Sequence, residues 1–276
     1  MTFVLKLLSS LPLLVLQGMG WLLGWVAFVF SAVYRKRFLE NVALAGVPSG
    51  QWIQAVGEAG KLVAELPRLW LGRPVSFQWE GKQHIDQALT TGRGLVFLTP
   101  HMGCFEVAAQ AYAADYGVAG HPMTVLFRPA RQPWLARWVA ASRARPGLET
   151  APTTLAGVKQ LLKALKAGHS VGLLPDQVPP LGQGAWTPFF GRDAYTMTLS
   201  ARLALQTGAQ VLLAWGQRKS WGRGYVVHVA PMGPSLSGNL EEATLQINRA
   251  MELLIRQNPQ QYLWGYARYK HPRANA

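Results

Sequence analysis

A single cysteine, Cys104, rules out an intramolecular disulfide and any metal cluster built on several thiolates. Histidine is sparse as well. The six residues are scattered, and none falls in a ligand spacing such as H-E-x-x-H, so the sequence predicts no metal and no redox cofactor. Charge is the next shortage: 14% of the residues are charged, against ~25% in an average soluble domain. Acid is scarcer still, with 13 Asp and Glu against 27 Lys and Arg, a net charge of +14. That excess predicts anionic partners: lipid headgroups, phosphorylated substrates, an acidic carrier protein or nucleic acid. What the chain has in abundance is apolar bulk, 50% of 276 residues and 11 Trp, which excludes disorder and allows a substantial core.

From Leu7 to Tyr34 no residue is charged. As one straight helix this run reaches about 42 Å, more than the ~30 Å hydrocarbon core of a bilayer. It can span with tilt, or break near Gly18 and Gly20 into two shorter pieces. The alternative, a cleaved signal peptide, has an apolar stretch of only ~7–15 residues, so the run reads as an anchor. Arg35-Lys36-Arg37 follows at once, whereas only Lys6 and the amino terminus precede it. The positive-inside bias then predicts that the remainder faces the cytoplasm. Gly20 and Gly24 form a G-x-x-x-G pair, a candidate packing face between helices. The predicted division is an anchor over 1–34 and a catalytic domain over 35–276.

Beyond the anchor, short apolar runs alternate with helical patterns. Helices are predicted over Trp52–Trp70, ended by Pro67 and Gly72, and over His84–Thr90, Phe105–Tyr116, Trp134–Ala144, Leu155–Ala167, Tyr195–Thr207 and Leu240–Gln257. Strands are predicted over Val75–Trp79, Leu95–Leu98, Thr124–Phe127, Val171–Leu174, Gln210–Trp215 and Tyr225–Val229. This alternation predicts an α/β fold whose mixed, largely parallel sheet is flanked by helices. The Gly- and Pro-dense stretch Pro175–Gly191 reads as the longest irregular loop.

Chemistry concentrates where the buried-type strand Leu95–Leu98 runs out. His101 sits at its carboxyl end and Glu106 at the start of the next helix, the edge at which α/β sheets bind ligands. In a functional reading His101 accepts a proton from a substrate hydroxyl while Glu106 fixes its tautomer. In a structural reading His101 bonds a backbone carbonyl and Glu106 answers the helix dipole. Arg128 follows the next strand and can stabilise an oxyanion, grip a phosphate or form a structural ion pair. Asp176 follows another strand, where it can orient a partner or cap a turn beside Pro175. Gly168-His-Ser170-Val-Gly172 matches G-x-S-x-G, but the predicted helix precedes it and the strand follows, the reverse of a hydrolase elbow. No nucleic-acid motif is present, so the basic surplus is assigned to lipid and carrier rather than nucleic acid.

His101 and Glu106 together match the H-x4-D/E motif of the lysophospholipid-type acyltransferase superfamily. Further segments resemble the late acyltransferases of lipid A biosynthesis, of lauroyl and myristoyl type: Phe127-Arg128-Pro129, Leu174-Pro175-Asp176-Gln177, Thr187-Pro188-Phe189-Phe190-Gly191 with Tyr195-Thr196, Thr207-Gly208-Ala209, Pro259–Trp264 and Arg268-Tyr269-Lys270. The pattern departs from that family at Gln132 and Ala136, and in the Val-Pro-Pro that follows Gln177. The resemblance implies a glycerolipid acyltransferase-like fold with an N-terminal membrane helix. It implies transfer of an acyl chain from an acyl carrier protein to a hydroxyl of an anionic lipid A precursor of the Kdo-lipid IVA type, at the bacterial inner membrane. His101 and Glu106 are the implied catalytic pair, and Arg128, Asp176, Gln177 and Thr196 the implied substrate contacts.

Overall fold

The computed structural model describes residues 2–128, 132, 139 and 141–273. The uncharged N-terminal run forms three helices: α1 (Thr2–Ser10), α2 (Leu13–Phe30) and α3 (Ala32–Leu44), which extends past the run. The breaks fall at Leu11-Pro12 and at Ser31, not at Gly18 or Gly20. Pro12 precedes α2 because it has no amide to donate inside a helix. The Ser31 hydroxyl then accepts from the Tyr34 amide to start α3. With 18 residues, α2 is about 27 Å long.

Helix α2 crosses α4 (Ser49–Ala64) where both are stripped to glycine. A Cβ on Gly24 would lie 2.2 Å from the Val56 carbonyl oxygen, and one on Gly60 1.9 Å from that of Gly20. The G-x-x-x-G pair is therefore a backbone-to-backbone contact inside one chain. After α4 comes α5 (Leu66–Leu71). Pro67 lies in the first turn of α5, where its missing amide costs nothing, and does not end a helix as expected.

Seven strands form the main sheet: β1 (Phe77–Glu80), β2 (Leu95–Leu98), β3 (Met123–Phe127), β4 (Leu148–Pro152), β5 (Ser170–Leu173), β8 (Gln210–Arg218) and β9 (Tyr225–Pro231). Their spatial order is β1-β9-β8-β2-β5-β3-β4, with every pairing parallel except β8 with β9. Strands β2 and β5 are central and buried on both faces, which is why each reads as a short run with no polar alternation. On one face Val96, Leu98, Val171 and Leu173 meet α8 (Leu155–Lys166), α9 (Leu199–Thr207) and α10 (Leu240–Gln257). On the other, Leu95, Phe97 and Val227 meet α6 (Lys82–Leu89) and α7 (Phe105–Tyr112). Helix α7 widens into a π-helical turn over Ala113–Gly117, inside the span predicted as one helix. The predicted helix Trp134–Ala144 lies largely outside the described residues.

Part of the predicted Pro175–Gly191 loop is a strand. β6 (Gly184–Phe189) pairs antiparallel with β7 (Arg192–Met197) in a separate two-stranded ribbon. Phe190 and Gly191 make its tight turn, both at positive φ (48° and 79°), as a twisted hairpin requires. Pro188 is tolerated because a two-stranded ribbon is all edge. Tyr195 and Thr196 consequently belong to β7 and do not open a helix; α9 begins only at Leu199.

Candidate active site

The carboxyl ends of β2, β5 and β3, adjacent in the sheet, carry His101, Asp176 and Arg128. Between β2 and α7 the chain turns through Thr99–Cys104, and neighbouring backbone holds this turn. The His101 carbonyl accepts from the Leu263 amide at 3.0 Å, and the Gly103 amide donates to the Gln261 carbonyl at 2.8 Å. Gly103, at φ 56°, lies so close to β8 that a Cβ would come within 2.0 Å of the Gly216 oxygen. Only glycine meets both demands.

The carboxylate that reaches His101 is Asp176. Its Oδ1 lies 2.7 Å from His101 Nδ1, and its Oδ2 accepts from the His101 backbone amide at 2.9 Å. Glu106, expected to orient His101, instead accepts from Trp70 Nε1 at 3.2 Å and pairs with Arg143. The reason is helical geometry. Glu106 lies in the first turn of α7, beneath Trp70 and Arg143, whereas the β5 loop delivers Asp176 straight to the neighbouring strand end.

Burial alone would raise the Asp176 carboxyl pKa. The His101 ring, its two hydrogen bonds and the charge of Arg268 outweigh that and hold it below the usual carboxylate range. An ionised Asp176 requires a donor at Nδ1, which leaves the lone pair of the imidazole on Nε2. Gln177 Nε2 sits 3.1 Å from that atom and donates to it. The ring edge of Phe105 packs against the imidazole, with centroids 5.2 Å apart. His101, Asp176 and Gln177, each a candidate from the sequence, thus lie together, and the carboxylate contact expected from Glu106 is made by Asp176.

Around this pair lies a second, buried layer. The Tyr262 hydroxyl pKa is pushed well up by burial and then by the Asp176 carboxylate. Arg268, 3% exposed, donates to the Tyr195 carbonyl at 2.9 Å and to Thr196 Oγ1 at 2.5 Å. Thr196 is fully buried, and Asn248 on α10 also donates to it, so it supports Arg268 and has no face left for a substrate. Arg218, on the other side, donates to the Gly103 carbonyl and to the buried Glu65, which also accepts from Tyr225. Cys104 stands within this cluster, and burial, then Glu65, push its thiol pKa well up. It stays protonated and is no nucleophile. Arg128 lies exposed at the end of β3, with no bond to His101, Glu106 or Asp176 among the described residues. Nothing in the sequence marks Glu65, Arg218 and Arg268 as buried charges, because isolated charged residues read as surface; Arg268 alone stands inside a matched motif.

Near His101, whose neighbours Thr99 and Phe105 line it, a cavity of about 80 Å³ opens between α7 and the sheet. Thr99, Phe105, Glu106, Arg143 and Leu174 line it together with Val125 and the buried Phe97, Tyr112 and Met123. Gly172 contributes no side chain to its wall. Ser170, two residues earlier on the same face of β5, bonds the Tyr112 hydroxyl at 2.7 Å. The G-x-S-x-G string thus shapes a cavity wall and is not an elbow. No group of His, Cys, Asp and Glu among the described residues is arranged to hold a metal.

Comparison with known proteins gives this arrangement its context. The family model for bacterial lipid A biosynthesis acyltransferases matches residues 1–271. The lipid A biosynthesis lauroyltransferase of Escherichia coli (strain K12) is 26% identical over 97% of this chain and 89% of its own length. The lipid A biosynthesis palmitoleoyltransferase of the same organism is 26% identical over 70% of this chain and 61% of its own. A lipid A biosynthesis acyltransferase of Haemophilus influenzae is 26% identical over 67% of this chain and 56% of its own. The fold, the histidine at the carboxyl end of a central parallel strand and a match over nearly the whole length agree: the chain belongs to the bacterial lipid A biosynthesis acyltransferase family.

Proposed function

We propose that the protein transfers a fatty acyl chain from acyl carrier protein to a hydroxyl of a Kdo-lipid IVA-type precursor, at the cytoplasmic side of the bacterial inner membrane. The observation that carries this reading is a histidine oriented by a buried carboxylate, with its neighbours Thr99 and Phe105 lining an apolar cavity. His101 Nε2 takes the proton as the acceptor oxygen attacks the thioester carbonyl. Asp176 stabilises the imidazolium that forms and holds its tautomer. When the tetrahedral oxyanion collapses, the carbon–sulfur bond breaks and the imidazolium returns its proton to the departing thiolate. Gln177 occupies Nε2 in the resting enzyme, and the acceptor hydroxyl displaces it. The acyl chain lies in the cavity beneath α7. Glu106 acts by holding Arg143 at the cavity wall, where Arg143 and the exposed Arg128 meet the negative charge of the acceptor and of the developing oxyanion.

The apolar helix α2 and Arg35-Lys36-Arg37 beyond it support residence at the membrane, with the anchor over 1–34 and the chemistry over 35–276. The test is transfer of labelled acyl groups by purified protein from acyl carrier protein to a Kdo-lipid IVA acceptor, alongside mass spectrometry of lipid A from a deletion strain. The expected result is product in vitro and lipid A lighter by one acyl group in the strain. Transfer to a glycerophospholipid but not to the lipid A precursor would move the enzyme to another acceptor. No transfer to any lipid would leave a binding protein that has kept the fold.

A further inference from the structure

The helix α2, apolar enough to cross a bilayer, is attached to the catalytic body along its whole length. At its amino end, the backbone of Leu14 lies against the turn between β8 and β9, where a Cβ on Gly222 would sit 2.4 Å from the Leu14 nitrogen. In its middle, Gly20 and Gly24 touch the backbone of α4. Beyond its carboxyl end, Asn41 on α3 donates to the carbonyls of Trp264 and Tyr266 at 2.6 and 2.9 Å. Helix α1 is tied down as well, since Arg68 donates to the Ser9 carbonyl at 3.1 Å. A helix that crossed the membrane would set Leu14 and Arg35 on opposite sides. The β8–β9 turn, with Lys219 and Arg223, would then have to cross with Leu14.

The surfaces left open agree with a different placement. The face of α2 turned from the body exposes Leu14, Leu22, Val26, Val29 and Phe30, an apolar stripe running from one end of the helix to the other. In line with its amino end stands Trp221, 76% exposed, the residue that turns the β8–β9 hairpin. Its φ of 62° is left-handed, a strained conformation for a bulky side chain. Strain and an exposed indole together have no reward in water; a membrane interface, where Trp partitions, supplies one. Exposed Arg223 beside it and Arg35-Lys36-Arg37 at the other end complement anionic headgroups, and no acidic residue precedes Glu40.

We infer that α2 lies in the plane of the membrane surface and does not cross it, with Trp221 as a second insertion point that fixes the tilt of the catalytic body. This rests on the membrane residence proposed above. It brings the carboxyl edge of the sheet, from which β8 and His101 emerge, to the lipid surface where an amphiphilic acceptor resides.

Because Cys104 is buried, single cysteine variants give one accessible thiol each. Leu14→Cys, Leu22→Cys, Phe30→Cys and Trp221→Cys, with Arg93→Cys on the opposite sheet edge as the aqueous control, would carry a spin label in full-length protein on vesicles of phosphatidylethanolamine and phosphatidylglycerol. Depth is read from relative accessibility to oxygen and to a polar nickel complex. The expected result is one shallow depth, roughly 5–10 Å, shared by positions 14, 22, 30 and 221. A profile deepest at 22, with 14 and 30 near opposite surfaces, overturns the in-plane placement and leaves membrane residence standing. A label at 221 that matches position 93 in water, or that is shielded from both reagents as in a protein contact, overturns the second insertion point. If no variant associates with vesicles while all remain folded by circular dichroism, membrane residence itself fails.

Discussion

In the proposed mechanism the chemistry depends on which acid faces His101. With Asp176 buried and its carboxyl held below the usual range by the imidazole and Arg268, the histidine has one tautomer and one orientation. Asp176→Asn keeps the shape but removes the charge. We expect kcat to fall by about 10²–10⁴-fold, near the loss in His101→Ala, with the double variant little worse than either. Glu106→Gln should act through Arg143, raising KM for the acceptor more than it lowers kcat. Steady-state kinetics on folded enzyme in detergent separates the two, and equal kcat losses at 106 and 176 would return the orienting role to Glu106. A depressed carboxylate pKa stabilises the fold above its unfolded value, ~3.9, and this contribution is lost as pH falls through the lower folded value. The stability gap between wild type and Asp176→Asn should therefore be present at pH 7 and shrink below about pH 4 in denaturant titrations. The Glu65–Arg218 pair is structural. Both partners are buried, so Glu65→Gln leaves the guanidinium only the longer contact to Glu58, at 3.5 Å, as counter-charge and should cost up to about 3–5 kcal/mol, read as a lowered Tm.

At the scale of elements, legibility followed burial. β2 and α10 were readable at their true limits, β2 because a central parallel strand is apolar on both faces and α10 because one wet face gives it a clean helical period. The edge strand β4 was missed, since Leu-Glu-Thr-Ala-Pro carries neither pattern, and β6 was hidden by Pro188 and its glycines. Candidate site residues were legible as strand-end residues, but which acid meets His101 depends on strand order, and β5 lies beside β2 although β3 and β4 intervene in the chain. The same register explains Gly172, which faces the cavity from the middle of β5. A Cβ there would lie 3.1 Å from Val125 Cγ1, so a side chain at 172 requires Val125 to give by a few tenths of an ångström and takes up cavity space. Gly172→Val should therefore shift donor preference toward shorter acyl chains. The ratio of kcat/KM for palmitoyl to lauroyl carrier protein is the measurement, and an unchanged ratio would remove the chain from this cavity.

For the molecule as a whole, two features of composition act together. On the proposed placement, the apolar stripe of α2 supplies attachment that salt does not weaken, because burial of hydrocarbon is not screened. The net charge of +14 supplies a long-range field that salt does weaken, to within about 10 Å at 0.1 M ionic strength. An enzyme held at the lipid surface by the first meets its acceptor there and needs the second only for what arrives from solution. An acidic carrier protein is such a reactant, and steering by an opposite field raises its encounter rate. The expectation is that kcat/KM for acyl carrier protein falls steeply as salt rises from about 20 to 300 mM, while kcat changes little. Acyl-coenzyme A, smaller and reaching a smaller patch of surface, should lose less over the same range. Vesicle co-sedimentation across that range should stay constant, which separates carrier docking from detachment. A parallel decline of both donors at constant membrane binding would show that the basic surplus serves the acceptor's phosphates, with Arg128 and Arg143 the first positions to test, and not the carrier.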